Sequence, residues 1–181
     1  MGGLAYTVVR LAVSDTLVYC HVRYSCCCWS LVELCRLNRS VLPSNQNQLQ
    51  IKDLINLVGI NPTGLDWKRF VVAVNDSGQV IACGQIKPHG VDIRELASIA
   101  VQPEYRGQGL ARAVIEALLS QTPRPVYLMC IAHNGPMYEK FGFRAIEGDQ
   151  MPKYFKRIRK LFDLAVAFRK TEENLLVMKL E

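Results

Sequence analysis

No run of about 18 uncharged apolar residues occurs in this chain, because Arg10, Asp15, His21 and Arg23 break up its greasy N-terminal third. A membrane-crossing helix is therefore not expected, and the sequence reads as that of a soluble protein. The same third lacks the basic start, apolar core and small-residue cleavage site of a secretory signal. Acylation of Cys26, Cys27 and Cys28 is left open, but "MGGLAY" is without the Ser or Thr that a myristoylation signal carries at its sixth position. No two cysteines have two residues between them, the C-x-x-C spacing of a zinc knuckle or redox motif, and their number, seven, is odd. Free thiols in a reducing compartment are favoured over metal or disulfides. The expected location is cytoplasmic, with organelle import left open. Repeats and low-complexity tracts are absent. The net charge of +6, from 22 Lys and Arg against 16 Asp and Glu, suits an anionic ligand but is too diffuse for a nucleic-acid module. Only "KYFKRIRK" (153–160) is densely basic.

What is present divides the chain unevenly. With 181 residues, 50% of them hydrophobic, one respectable core can be buried, so a single domain over 1–181 is expected. Residues 1–66 are its atypical part. "YTVVRLAV" (6–13) reads as a first strand, but "LVYCHVRYSCCCWSLVELC" mixes β-branched, aromatic and cysteine residues without a clean period. "LPSNQNQLQ" (42–50) reads as a polar loop and "IKDLINLVGI" as a short helix ended by "NPTG".

From Trp67 onward the periods are clear. "FVVAV" (70–74) and "QVIACGQI" (79–86) flank "NDSG", a turn whose residues accept positive φ, and so predict an antiparallel hairpin. "ELASIAV" (95–101), after the connector "KPHGVDIR", extends the meander. Leu110, Val114, Ile115, Leu118 and Leu119 recur at helical spacing, with one face against a sheet, and "TPRP" stops the helix. "VYLMCIA" (126–132), apolar on both faces, predicts a central strand reached by a right-handed parallel crossover. "GPMYEKF" follows as a short helix, "GFRAI" as a strand, "KYFKRIRKLFDLAVAF" as an amphipathic helix with the stripe Phe155, Ile158, Phe162 and Ala165, and "NLLVMKL" (174–180) as the last strand.

The stretch "SIAVQPEYRGQGLARAVIEALL" (98–119) sets strand, glycine turn and helix almost back to back. That order builds phosphate cradles, because the first amides of a helix lack partners. A dinucleotide fingerprint would require a third Gly or Ala at Arg112 and an acidic residue about twenty positions on, where "YLMCIA" stands. A nucleoside-triphosphate loop would require Gly, four residues, Gly, Lys and Ser or Thr, a string the chain does not contain. What remains is Arg106, Gly109 and Ala111, a basic residue followed at fixed spacing by Gly and Ala.

With these residues, from about Phe70 to its end, the chain resembles the GNAT superfamily of N-acetyltransferases. "RGQGLA" is similar to the family's signature loop, and "HNGPMYEKFGFR" (133–144) to its second signature, in the right order and at an appropriate distance. The resemblance implies an α/β (α+β) fold with a mixed, mostly antiparallel sheet of six or seven strands, helices on both faces, and splayed fourth and fifth strands. It implies acetyl-CoA as cosubstrate, an amine acceptor on a small molecule or protein, and no metal. The amides of Gly107, Gln108, Gly109, Leu110 and Ala111, after Arg106, would wrap the pyrophosphate, Gly107 and Gly109 permitting close approach. Backbone groups of Ile99, Ala100 and Val101 would pair with the pantetheine like an added strand, with the Val101 amide steadying the oxyanion.

The chemistry needs a base for the amine and an acid for the thiolate. Glu95 stands where some family members supply the base, against the plainer reading of a solvated strand-start glutamate. Tyr138 takes the acid's place; its phenol stays protonated at neutral pH. Asn134 is similar to a residue that hydrogen-bonds pantetheine, though a plain helix cap would suit it as well. His89 and His133 have no evident partners and read as loop histidines, and Cys130 as an inert buried thiol. Leu65, Trp67 and Phe162 are candidates for the wall of an acceptor pocket, whose specificity belongs to residues 14–66 and 147–173. A homodimer is left open. Two rival readings are a non-catalytic acyl-CoA sensor, which needs neither Glu95 nor Tyr138, and a nucleic-acid-binding module resting on charge alone.

Overall fold

The computed structural model describes residues 8–13, 16–21, 45–169 and 174–181. Strands β1 (Val8–Val13) and β2 (Thr16–His21) form an antiparallel two-stranded sheet of their own. The strand expected at 6–13 therefore exists, outside the main sheet. Cys26, Cys27, Cys28 and Cys35 lie outside the described residues.

The main sheet has six strands in the order β3-β4-β5-β6-β8-β7: β3 (Phe70–Val74), β4 (Val80–His89), β5 (Ile93–Val101), β6 (Val126–Ile131), β7 (Arg144–Ala145) and β8 (Leu175–Leu180). Among the described residues four helices accompany them: α1 (Asn45–Leu57), α2 (Leu110–Ser120), α3 (Gly135–Glu139) and α4 (Lys153–Arg169). β5 and β6 are parallel; β3 with β4, β6 with β8 and β7 with β8 are antiparallel. The expected sheet is thus present, with six strands. The β5–β6 ladder consists of the pairs Arg94↔Val126 and Glu95↔Tyr127, a short join for strands of nine and six residues.

The chain forms two compact units, residues 1–85 with 98–120 and residues 86–97 with 121–181. β4 and β5 run through both. In the first unit, Cys83 of β4 is buried with Ile51, Leu54 and Ile55 of α1, whereas the adjacent Gly84 faces Val114 and Leu118 of α2. Successive strand residues point to opposite faces, so α1 and α2 cover opposite faces of β4. In the second unit Val177 packs with Phe155 of α4, while its neighbour Leu176 lies against Gly135 of α3. Here too helices occupy both faces.

Two boundaries differ from expectation. α1 begins at Asn45, inside the stretch expected to be a loop. Its polar first turns are held by tertiary contact: Asn47 is buried, and Gln50 Oε1 accepts the Val80 amide at 2.6 Å. β4 continues through Pro88 to His89, inside the expected connector. The β3–β4 ladder ends at Phe70↔Gln85, so no bond to β3 is asked of Pro88, and a proline costs little there.

Candidate functional site

In the first unit the glycine loop rests on a pinned base. The Gln102 amide donates to the Ile81 carbonyl at 2.8 Å and its side-chain amide to the Val80 carbonyl at 3.0 Å, tying the end of β5 to β4. A 3-10 turn, Pro103–Tyr105, leads on, and the Tyr105 hydroxyl accepts from Asn75 at 3.4 Å. Gly107 and Gly109 then adopt φ of +79° and +81°, where only glycine is unstrained. Arg106, Gly107, Gln108 and Gly109 are exposed, and α2 starts at Leu110. Among the described residues the amides of Gly107 through Ala111 make no hydrogen bond, the first main-chain bond of the helix being Ala113 N–H to the Gly109 carbonyl at 3.1 Å. Five consecutive donors thus stand free at a positive helix end.

Just upstream, Ser98 has φ of +57°, the sole non-glycine residue with positive φ among those described. Such a conformation costs a serine roughly 1–2 kcal/mol. Gln85 holds it, donating from Nε2 to the buried Ser98 Oγ at 3.0 Å. Ile99, Ala100 and Val101 complete β5. Near α1 a hollow of about 280 Å³ is lined by Gln48, Lys52, Leu65, Trp67 and Phe70, among others. Two of the three pocket candidates, Leu65 and Trp67, are in its wall; Phe162 belongs to α4 of the second unit.

The second unit collects the titratable groups. Glu95 is no solvated glutamate: it is 6% exposed, and its Oε2 lies 2.5 Å from His89 Nε2. His89 thus has the partner that sequence reasoning did not find, and it stands on β4 instead of a loop. No local motif signals the pair, which meets across a hairpin six residues apart. Tyr154 of α4 stacks on the imidazole with ring centroids 3.8 Å apart; burial first and the Glu95 charge second push its phenol upward.

Tyr138, on α3, is partly buried and lies edge-on to the fully buried Phe143 at 6.2 Å. Gly142, at φ +90°, makes the turn that returns the chain to that core position. Burial, then Cys130, push the Tyr138 phenol up to about 12. Burial likewise raises the Cys130 thiol to about 11, keeping it protonated and poorly nucleophilic. Asn134 precedes α3 but its side chain makes no capping bond, so the plain cap reading fails. His133 is exposed in a 3-10 turn. Among the described residues no cluster of three His, Cys, Asp or Glu could hold a metal, and no helix is long and apolar enough to cross a membrane.

Residues 66–145 match the acetyltransferase (GNAT) domain family. The chain is similar to an amino-acid acetyltransferase of Mycobacterium tuberculosis, 28% identical over 94 residues, which are 50% of this chain and 53% of that protein. It is also similar to an uncharacterised N-acetyltransferase of Chlorobaculum tepidum, 31% identical over 80 residues, 42% of this chain and 50% of that protein. The chain therefore spans about half the length of the curated relatives it matches. Its fold is similar to that of a Mycobacterium tuberculosis protein solved in complex with CoA, with TM-score 0.57 and 21% identity over 76% of this chain and 96% of that one. Sequence match and fold converge on the segment that carries the glycine loop and the α3 tyrosine: residues 66–145 are similar to the acetyltransferase (GNAT) domain family.

Proposed function

We propose that this protein transfers the acetyl group of acetyl-CoA directly to a primary amine of a small molecule or protein. The observation that carries the reading is the run of five unpaired amides from Gly107 to Ala111 ahead of α2, a donor array suited to a pyrophosphate. Arg106 adds charge beside it. The two-pair β5–β6 ladder supports a pantetheine arm pairing with backbone groups of Ile99, Ala100 and Val101, and the uncommitted Asn134 side chain supports a further hydrogen bond to that arm. The amine acceptor named in the M. tuberculosis relative, an amino acid, is the class to try first.

In this reading Tyr138 serves the leaving sulfur. A thiol of ordinary pKa, about 8.5, is a stronger acid than a phenol pushed up to about 12, so complete proton transfer to the thiolate is uphill. Tyr138 therefore acts chiefly as a hydrogen-bond donor that strengthens as charge builds on sulfur. Glu95 belongs to the acceptor side. No metal is required, and the two free, buried thiols Cys83 and Cys130 suit a reducing, cytoplasmic setting.

The test is a panel of amino acids, amines and peptides with acetyl-CoA, scored by thiol release and product mass. Acetylated product with stoichiometric thiol supports the proposal. Acetyl-CoA binding without release from any amine would favour a sensor, and no binding at all would end both readings.

A further inference from the structure

We propose that the base on the acceptor side is His89, through its Nδ1, with Glu95 as the buried carboxylate that fixes the imidazole's tautomer; the proposal rests on the acetyl-transfer reading above. Glu95 is 6% exposed and its Oε2 meets His89 Nε2 at 2.5 Å. A carboxylate accepts and does not donate, so Nε2 carries the hydrogen, and in the neutral imidazole the lone pair is then on Nδ1. Nδ1 makes no hydrogen bond among the described residues, and none of their buried side-chain nitrogens or oxygens lacks a partner. It follows that Nδ1 is open to solvent. Tyr154, stacked at 3.8 Å and 22°, and Phe155, edge-on at 6.1 Å, hold the ring plane. A buried acid, an oriented imidazole and one free basic nitrogen make a built proton acceptor. Glu95, its Oε2 already engaged, is a positioning residue here.

The step balances. As the acceptor nitrogen bonds to the thioester carbon it becomes cationic and acid, and Nδ1 takes its proton, leaving an imidazolium paired with the Glu95 carboxylate. The C–S bond breaks, the thiolate departs hydrogen-bonded by Tyr138, and the imidazolium proton passes to the thiolate through solvent.

Two measurements test this. Long-range 1H–15N spectra of the labelled free protein should show neutral His89 protonated at Nε2, and Glu95→Gln, whose amide can donate to Nε2, should shift it toward the Nδ1–H tautomer. A wild-type His89 protonated at Nδ1 would overturn the proposal whatever the acceptor. His89→Gln keeps an amide nitrogen near Glu95 but no base. With an amine identified by thiol release, its kcat should fall about 10²- to 10⁴-fold, with the acetyl-CoA thermal shift unchanged, and added imidazole should restore part of the activity of His89→Ala. Undiminished kcat in His89→Gln would sink the proton role alone; a wild type that binds no acetyl-CoA would sink the acetyl-transfer reading and leave the tautomer result standing.

Discussion

Replacing Gly84 by alanine should loosen α2 from the sheet and weaken the cofactor loop with it. An alanine Cβ at this position would lie 2.5 Å from Ile99 Cδ1, 2.8 Å from Val114 Cγ1 and 3.1 Å from Leu118 Cδ1, where carbon atoms normally keep about 3.5–4.0 Å. The Ile99 and Leu118 methyls end flexible side chains and can swing aside. Val114 cannot, because a β-branched residue in a helix has essentially one χ1 rotamer, so the clash is relieved only by moving α2. Overpacking of this kind costs about 1–3 kcal/mol. In a chain of this size each kcal/mol lowers Tm by about 2–4 °C, so a drop of roughly 4–8 °C is expected for a mid-range cost. Acetyl-CoA affinity should fall too, since Leu110 and Ala111 supply two of the free amides from the displaced helix. Thermal unfolding and titration calorimetry read both effects. Val114→Ala removes the stiff methyl at its own packing cost, and the double variant should lose less than the sum of the singles, with a coupling of about 0.5–3 kcal/mol. Strict additivity, or a Gly84→Ala protein as stable as wild type, would show that α2 is not seated on Gly84 as described.

Three further outcomes are expected. Gly107→Ala adds a Cβ with nothing within 4 Å but at φ +79°, so backbone strain of about 1–2 kcal/mol is the whole cost; thermal unfolding should show Tm lowered by about 2–8 °C, and an unchanged Tm would show that the loop does not hold this φ. Tyr138→Phe should lower kcat far more than cofactor affinity, and because burial and Cys130 raise the phenol to about 12, wild-type kcat should show no fall from Tyr138 ionisation near its ordinary pKa of about 10; a fall there that Tyr138→Phe abolishes would contradict that environment. Burial raises Cys83 from 9.0 to about 12 against a lowering hydrogen bond from Ala100; the folded chain keeps a proton that the unfolded chain releases, so this stability is whole below about pH 9 and is lost as pH rises toward 12. Cys83→Ala should flatten the alkaline fall in urea midpoint, and an identical slope would refute the assignment.

The parts readable from sequence are those governed by neighbours along the chain. The "NDSG" hairpin is one: Gly78 takes φ +78°, its amide donates to the Asn75 carbonyl at 2.9 Å, and Asn75 Oδ1 accepts from the Ser77 hydroxyl and the Gln79 amide, all within five residues. The α2 stripe is another, with Leu110, Val114, Ile115, Leu118 and Leu119 buried as their spacing implied. Misread parts depend on distant partners. The start of α1 is held by Val80, thirty residues on from Gln50. His89 could be paired with Glu95 only by knowing that β4 runs past Pro88, which depends in turn on where the β3 ladder stops. Asn134 illustrates the reverse error, a good cap residue whose side chain caps nothing because its backbone is already helical at φ −87°, ψ −10°, not extended as a capping side chain requires.

The two units divide the proposed work by the kind of group each carries. The first offers main-chain amides, which hold their hydrogens at any working pH and bind by position; Arg106 is the sole titratable side chain between Tyr105 and Arg112. The second holds His89 and Glu95, hydrogen-bonded to each other, and Tyr138 and Cys130, whose protons burial keeps in place. Substitutions in the loop should accordingly move cofactor affinity with little effect on the shape of a pH profile, while those at His89, Glu95 or Tyr138 should change kcat and its pH dependence at nearly constant affinity. β4 and β5 pass through both units, so Ser98 is the position where the two classes should mix. Its φ of +57° is kept by one side-chain bond from Gln85. Ser98→Gly would relieve the strain and leave the buried Gln85 amide without its acceptor, an exchange of about 1–2 kcal/mol against about 1–3 kcal/mol, terms of similar size that largely offset. A change in both affinity and kcat with Tm nearly constant would therefore mark Ser98 as the residue through which β5 serves both tasks, and a change in one alone would confine it to a single unit.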